Sequence, residues 1–433
     1  MRNIQKLIAF VFAIVVCSCT TDDVLEKTVV ENETGKVPKT SSANITSKSN
    51  FFPTYSDTEL IVQFKDGTTD PEKNTIRMFN GVTNYEVCYC TNKDIELWSF
   101  GGVVNIEPKR RSIKDQVDDE STTGVLEVDY EFVFGLDIDS PYTGTDLDTG
   151  YVSYIKETNS GVTIAVVDSG VATGLTVFNT GTMANKFLFN VDGVAVGDEK
   201  SGWDFVNGDP NTFDDDEGKH GSIIANMITS ALTTNGVPHQ ILPVKVSNSL
   251  GQASYFNFLC GTLYAAERAD VVSISMGWYD DGFGESLESI FLNIVEANSN
   301  VIFVTSAGNL SSDNDMLRHF PSSYEQTNVI AVASSNEEKS KISDFSNYGA
   351  FSVDFFAQGE GIPFYDVFVQ GTSFAAPQVT IEVANIFYED GILSPEELKD
   401  ELSERGTIVS DTFGDLDGDL RNTYFNRLII PFD

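Results

Sequence analysis

From about Asp137 onward the chain alternates short, continuous apolar runs with stretches of helical periodicity. "VTIAVVDSG" (162–170), "ILPVKVS" (241–247), "VVSISMG" (271–277), "VIFVTSAGN" (301–309) and "NVIAVAS" (328–334) are rich in β-branched residues and lack polar alternation. That is the pattern of strands buried on both faces of a parallel sheet. Between them, "SYFNFLCGTLYAAERA" and "ESLESIFLNIVEANS" repeat apolar residues at helical spacing, so helices are expected to cover the sheet. The pattern predicts an α/β domain over 140–433, a mostly parallel sheet with helices on both faces.

A different rhythm precedes it. From Glu59, "ELIVQFKDGTTDPEKNTIRMFNGV" reads as a strand, a turn, a helix starting near Asp70-Pro71 and a stop at Gly81. "YEVCYC" and "DIELWSF" add two short strands, and a small α+β domain is expected over 56–108. The next stretch, "KRRSIKDQVDDESTTG", switches from basic to acidic with little apolar content. It predicts an exposed linker over 109–139, open to proteases.

The first residues have another character again. Arg2 and Lys6 precede the apolar run Leu7 to Val16, which leads into "CSCTTDD". The run falls short of the ~20 residues that cross a bilayer, so it reads as the apolar region of an export signal. "VCSC" resembles a bacterial lipobox, with small Ser18 ahead of Cys19. That resemblance implies a signal peptide over 1–18, a lipid on Cys19 and a polar tether over 19–55. The expected location is extracytoplasmic, on the cell envelope at the outer membrane or cell surface, with release following any cut in the linker.

Charge narrows the partners. Sixty-five acidic residues against 27 basic ones give a net charge of −38. Such a surface repels phosphate backbones and anionic headgroups, which argues against nucleic-acid binding. Cys88 and Cys90 are too close for an unstrained bridge, and with Cys260 they offer no four-ligand zinc spacing, so all are read as structural.

Candidate chemistry gathers at strand ends, where open α/β sheets place reactive groups. Asp168, Ser275 and Asn309 stand there, although a strand-end Asp or Asn taken singly is as often a cap or turn former. Of the 3 histidines, His220 lies in "DDDEGKHGSIIANMI" at the start of an apolar helical stripe. His239 and His319 read as structural or solvated. Ser373, in "VQGTSFAAPQV", follows all three histidines. This order excludes Ser…Asp…His hydrolases, and Ala375 breaks the Gly-x-Ser-x-Gly elbow. What remains is Asp168, His220 and Ser373, with Pro377 compatible with a helix that begins near the serine and favours negative charge at its N-terminus.

"IAVVDSG" around Asp168, "HGSIIA" around His220, "VTSAGN" ending at Asn309 and "GTSFAAP" around Ser373 resemble the subtilisin-like serine proteases, or subtilases, in order and spacing. The resemblance covers about residues 140–400. It implies a subtilisin-like fold and an Asp-His-Ser triad: Ser373 the nucleophile, His220 the base, Asp168 its orienting carboxylate, Asn309 an oxyanion donor. It also implies that Ser275, Met276 and Gly277 line the S1 side of a substrate cleft and that Leu250 and Gly251 form the opposing edge. A polypeptide substrate is then the partner. The chain departs from the family at Ser222–Asn226, where Thr-His-Val-Ala-Gly is usual. Trp278 replaces a small residue, and its bulk is expected to narrow the pocket beside S1 toward small or medium P1 side chains.

The 56–108 segment loosely resembles subtilase propeptides, which makes the chain's own N-terminal domain a second expected partner. The resemblance calls for no cofactor. It admits calcium as a structural ion without naming ligands, since neither "DIDSPYTGTDLDTG" nor "GDLDGDL" has EF-hand order. The function so implied is an exported serine endopeptidase. The alternatives are a non-catalytic binding lipoprotein on the same scaffold and a dedicated processing or self-maturing protease.

Overall fold

The computed structural model describes residues 52–88, 94–118, 124–136, 142, 161–178, 187–190, 200–282, 289–409 and 421–431. Cys19, the tether up to 51, Cys90, most of 137–150 and 414–420 lie outside them; the last two residues assigned to the tether open strand Thr54–Phe64 instead.

The apolar runs become the centre of a nine-stranded sheet in the order Thr407–Ile408, Arg427–Ile429, Phe355–Gln358, Val329–Ser335, Ile302–Ser306, Val271–Ile274, Val162–Asp168, His239–Lys245, Trp203–Asp204. All neighbours are parallel except the first pair. Side chains along Val162–Asp168 alternate between two cores. Ala165 and Val167 pack toward helices Tyr255–Ala266 and Ile290–Ala297. Ile164 and Val166 pack toward helices His220–Thr234 and Thr372–Asp390. Continuous apolar runs are needed because both faces are covered. The fold is the expected α/β architecture, a mostly parallel sheet with helices on both faces.

Ahead of it stands a smaller antiparallel sheet in the order Asn84–Val87, Ile95–Ser99, Thr54–Phe64, Val125–Gly135. Its first helix, Asp70–Phe79, starts where Asp70-Pro71 predicted, behind a Thr69/Glu72 capping box. The expected linker over 109–139 is not one. Helix Ile106–Asp118 and strand Val125–Gly135 occupy most of it. One of the basic residues that suggested exposure is used for packing instead: Arg110 is buried over the Tyr130 ring and donates to Val128 O at 3.2 Å.

Strand Val125–Gly135 also joins the two domains. It pairs antiparallel with Gln252–Ser254 of the large domain, Val133 opposite Ser254 and Gly135 opposite Gln252. Phe132 stacks on Tyr255 with centroids 4.4 Å apart, and Phe134 meets Phe258 edge-on at 5.6 Å. Two carboxylates meet helix N-termini. Asp129 accepts from Ile290 N at 2.8 Å, and Glu131 accepts from Phe256 N at 3.0 Å. Free amides and the helix dipole make such ends good carboxylate sites. A disulfide between Cys88 and Cys260 closes the contact.

Candidate active site

The parallel strands deliver their polar ends to one edge of the sheet. Asp168, the last residue of its strand, is buried, and both its oxygens face His220 Nδ1, at 2.8 and 3.0 Å. His220 opens helix His220–Thr234 and is buried too. A web of short bonds fixes the pair. Ser169 N donates to Asp168 Oδ1 at 2.7 Å, Gly221 N donates to Ser169 Oγ at 3.0 Å, and His220 N donates to Asp216 at 3.3 Å. Ser222 donates to Asp214 through its amide at 3.0 Å and its hydroxyl at 2.6 Å.

Three carboxylates therefore surround one imidazole. Burial disfavours the charged ring, but Asp168, Asp216 and Asp214 outweigh burial and raise the His220 pKa above the usual histidine value. Burial in turn pushes Asp214 up to about 6. Nδ1 is held by Asp168, and Nε2 is buried with no hydrogen-bond partner among the described residues. An orphaned buried nitrogen is costly, roughly 1–3 kcal/mol, unless something else uses it.

Ser373 is the second residue of helix Thr372–Asp390, and the Phe374 ring next to it lies 5.4 Å from that of His220. Pro377 stands four residues on, without an N–H, so the Ser373 carbonyl lacks its helical donor. Ser275 Oγ supplies the bond at 2.8 Å, and Ser373 Oγ donates back to Ser275 O at 3.1 Å. The Ser373 hydroxyl is thus turned to Ser275, not to His220. Asn309 comes to the same place because its Oδ1 accepts from both Thr372 N and Thr372 Oγ1, each at 2.9 Å. With Oδ1 taken, the amide Nδ2 remains as a donor beside the helix start.

Sequence reasoning brought Asp168, His220, Asn309 and Ser373 to one edge of the fold, with Ser275 buried beside Ser373. Met276 is buried, and Gly277 is partly exposed behind it. On the other edge, the Leu250 side chain is 77% exposed, and Gly251 O accepts from Leu136 N at 2.6 Å, so the chain's own segment covers this edge. Trp278 corrects its expectation. Its ring packs on Phe132, Phe134, Tyr255, Phe258 and Phe320, in the layer between the two domains. His239 is buried, stacked on Phe187 and bonded to Val237 O at 2.8 Å, so it is structural.

The sequence reading missed Asp214, Asp216 and Lys245. The first two stand in the acidic run ahead of His220, which looks like a solvated loop. Lys245 is buried with Nζ on Ser169 O at 2.9 Å, Ser247 O at 3.0 Å and Asp215 at 2.5 Å. A lysine inside an apolar strand, directly opposite Asp168 in the sheet, was the available signal. No group of acidic, His or Cys side chains among the described residues is arranged to hold a metal ion. The acidic stretch 414–420 and all of 137–150 except Tyr142 fall outside them.

A model of the subtilase family matches residues 159–414. Subtilisin DY of Bacillus licheniformis is 28% identical over 228 residues, 49% of this chain and 78% of that protein. Subtilisin-like protease 3 of Pseudogymnoascus destructans is 26% identical over 262 residues, and the match spans 57% of either chain. Among solved structures, an epidermin leader peptide processing serine protease from Staphylococcus aureus superposes with a TM-score of 0.55 at 16% identity, covering 86% of this chain and 96% of that one. At that identity the likeness speaks for the fold alone.

Proposed function

The chain belongs to the subtilase family of serine peptidases, and on that premise we propose that it cleaves polypeptides through Asp168, His220, Ser373 and Asn309. The observation that carries the reading is the buried His220 ring, held on Nδ1 by Asp168 with Nε2 unclaimed beside the serine helix. In the proposed reaction the Ser373 side chain turns from Ser275 O to His220. Its proton passes to Nε2 as Oγ bonds to the scissile carbonyl carbon. The carbonyl oxygen becomes an oxyanion between Asn309 Nδ2 and Ser373 N–H. Collapse breaks the C–N bond, and the amine leaves with the proton from His220; water then repeats the sequence on the acyl-enzyme. The carboxylates that raise the His220 pKa favour the imidazolium formed midway.

We extend the proposal to the small domain, read as a propeptide that keeps the enzyme latent. Support comes from Leu136, which takes the Gly251 carbonyl of an edge expected to pair with substrate. Export and lipid attachment at Cys19 rest on the sequence alone. Cys19→Ala should shift the protein from the detergent phase to the aqueous phase on phase partition, and an unchanged distribution would remove the anchor. The enzymatic reading is tested by Ser373→Ala, which should lower hydrolysis of a peptide mixture by several orders of magnitude at unchanged melting temperature. Retained hydrolysis would refute it.

A further inference from the structure

The two segments that flank Ser373 carry glycines one or two residues from the groups that bond the serine helix. Ser275 bonds Ser373 directly, and Gly277 follows two residues on; Asn309 bonds Thr372, and Gly308 precedes it. The side chain on the acyl side of a bond attacked by Ser373 therefore enters between these segments. What closes the gap is His319. A Cβ on Gly277 would meet the Phe320 carbonyl oxygen and come within 2.6 Å of His319 Cε1 and 2.7 Å of Nε2; one on Gly308 would come within 2.5 Å of Tyr279 Oη, 2.7 Å of Asn347 Nδ2 and 2.9 Å of His319 Cδ2, so His319 is the side chain that reaches both. The imidazole edge from Cε1 through Nε2 to Cδ2 thus spans the space behind both glycines. Tyr279, 4.8 Å from His319 between ring centroids, backs it, with its hydroxyl held by Asn347 at 2.8 Å.

The ring's orientation and proton are set by its neighbours. Strand His319–Phe320 pairs with Trp278–Tyr279, which fixes the backbone. The Ser322 hydroxyl donates to His319 O at 2.8 Å, leaving its oxygen to accept from Nδ1–H at 2.8 Å. That assignment makes Nε2 a bare acceptor. His319 is 4% exposed, and no described residue bonds Nε2. Burial pushes the pKa down to about 3, so the ring stays neutral at physiological pH.

We propose that His319 is the P1 specificity determinant of the enzyme, resting on the protease reading above: it closes the slot to long side chains and accepts a hydrogen bond, through Nε2, from a short hydroxyl- or amide-bearing one. Serine, threonine and asparagine are the residues that fit. The size limit expected from Trp278 comes from His319 instead. A site built to bond a donor rejects the isostere that lacks it, because the acceptor, once covered by the P1 side chain, is left unpaired.

The test is kcat/KM on peptides matched except at P1, as Thr against Val, Ser against Ala, and Asn against Leu, with Phe and Asp added. The purified full-length protein, nicked and then reduced to free the small domain, is first titrated at Ser373 with a fluorophosphonate to count active sites. The donor-bearing member of each pair should lead by about tenfold or more, with Phe poorest. His319→Ala should bring the pair ratios near one and raise Phe, while His319→Gln, which keeps an acceptor, should retain discrimination. Equal rates for Thr and Val, an Asp preference, or a profile unmoved by His319→Ala in enzyme whose active fraction has been counted by labelling a separate portion would overturn the assignment and leave the protease reading standing. A protein that neither labels nor cleaves after the small domain has been released would overturn both.

Discussion

Cys88 and Cys260 are joined by a disulfide across 172 positions of sequence, the first just past a strand of the small domain, the second inside helix Tyr255–Ala266 of the large one. Both are buried. On the chain-entropy model, closing so long a loop disfavours the unfolded chain by roughly 5 kcal/mol. Any single cut between 89 and 259 leaves the two parts covalently attached. Protein nicked in that interval should therefore run as one species on a non-reducing gel and as two after reduction. Cys88→Ser protein, nicked the same way, should separate without reductant, and co-migration of its fragments under denaturing conditions would contradict the bond.

Docking of the small domain should depend on pH through Asp129 and Glu131. Burial, with Glu127 nearby, pushes Asp129 up to about 7, and burial pushes Glu131 up to about 8. A carboxyl whose pKa rises on docking favours the docked state when protonated. That contribution is complete below the ordinary carboxyl pKa of about 4 and is lost as pH rises through 7 to 8. The melting temperature of Ser373→Ala protein should fall between pH 5 and pH 9. Asp129→Asn with Glu131→Gln, which keeps the acceptors for Ile290 N and Phe256 N, should flatten that fall. An unchanged slope would mean these groups do not titrate there.

Asn309 has two separable duties. Its Oδ1 holds Thr372, and its Nδ2 is the proposed oxyanion donor. Asn309→Ala should lower kcat roughly a hundredfold or more with little change in KM. Asn309→Asp keeps the acceptor for Thr372 and should lose as much. Recovery of kcat in the Asp variant would assign Asn309 a positioning role only.

The sequence made the parallel sheet legible because strands covered on both faces must be apolar throughout, as in Val162–Asp168. The site was legible because its residues stand at strand ends and helix starts. The strand Val125–Gly135 was hidden for the opposite reason. Glu127, Asp129 and Glu131 look like an exposed acidic stretch, yet all are buried, two of them on helix N-termini that only the folded large domain provides. Long-range partners of this kind leave no local signal. The same holds for Cys260, whose partner lies in another domain, and for His319, read as structural or solvated until its ring is seen across Gly277 and Gly308.

The central claim is that Ser373 is an activated nucleophile, and intact mass after fluorophosphonate treatment tests it most directly. Wild-type protein should gain one adduct, mapped to Ser373, and Ser373→Ala protein none. A wild-type chain that stays unmodified after nicking and reduction have removed the small domain, or an adduct that persists in Ser373→Ala, would contradict the account.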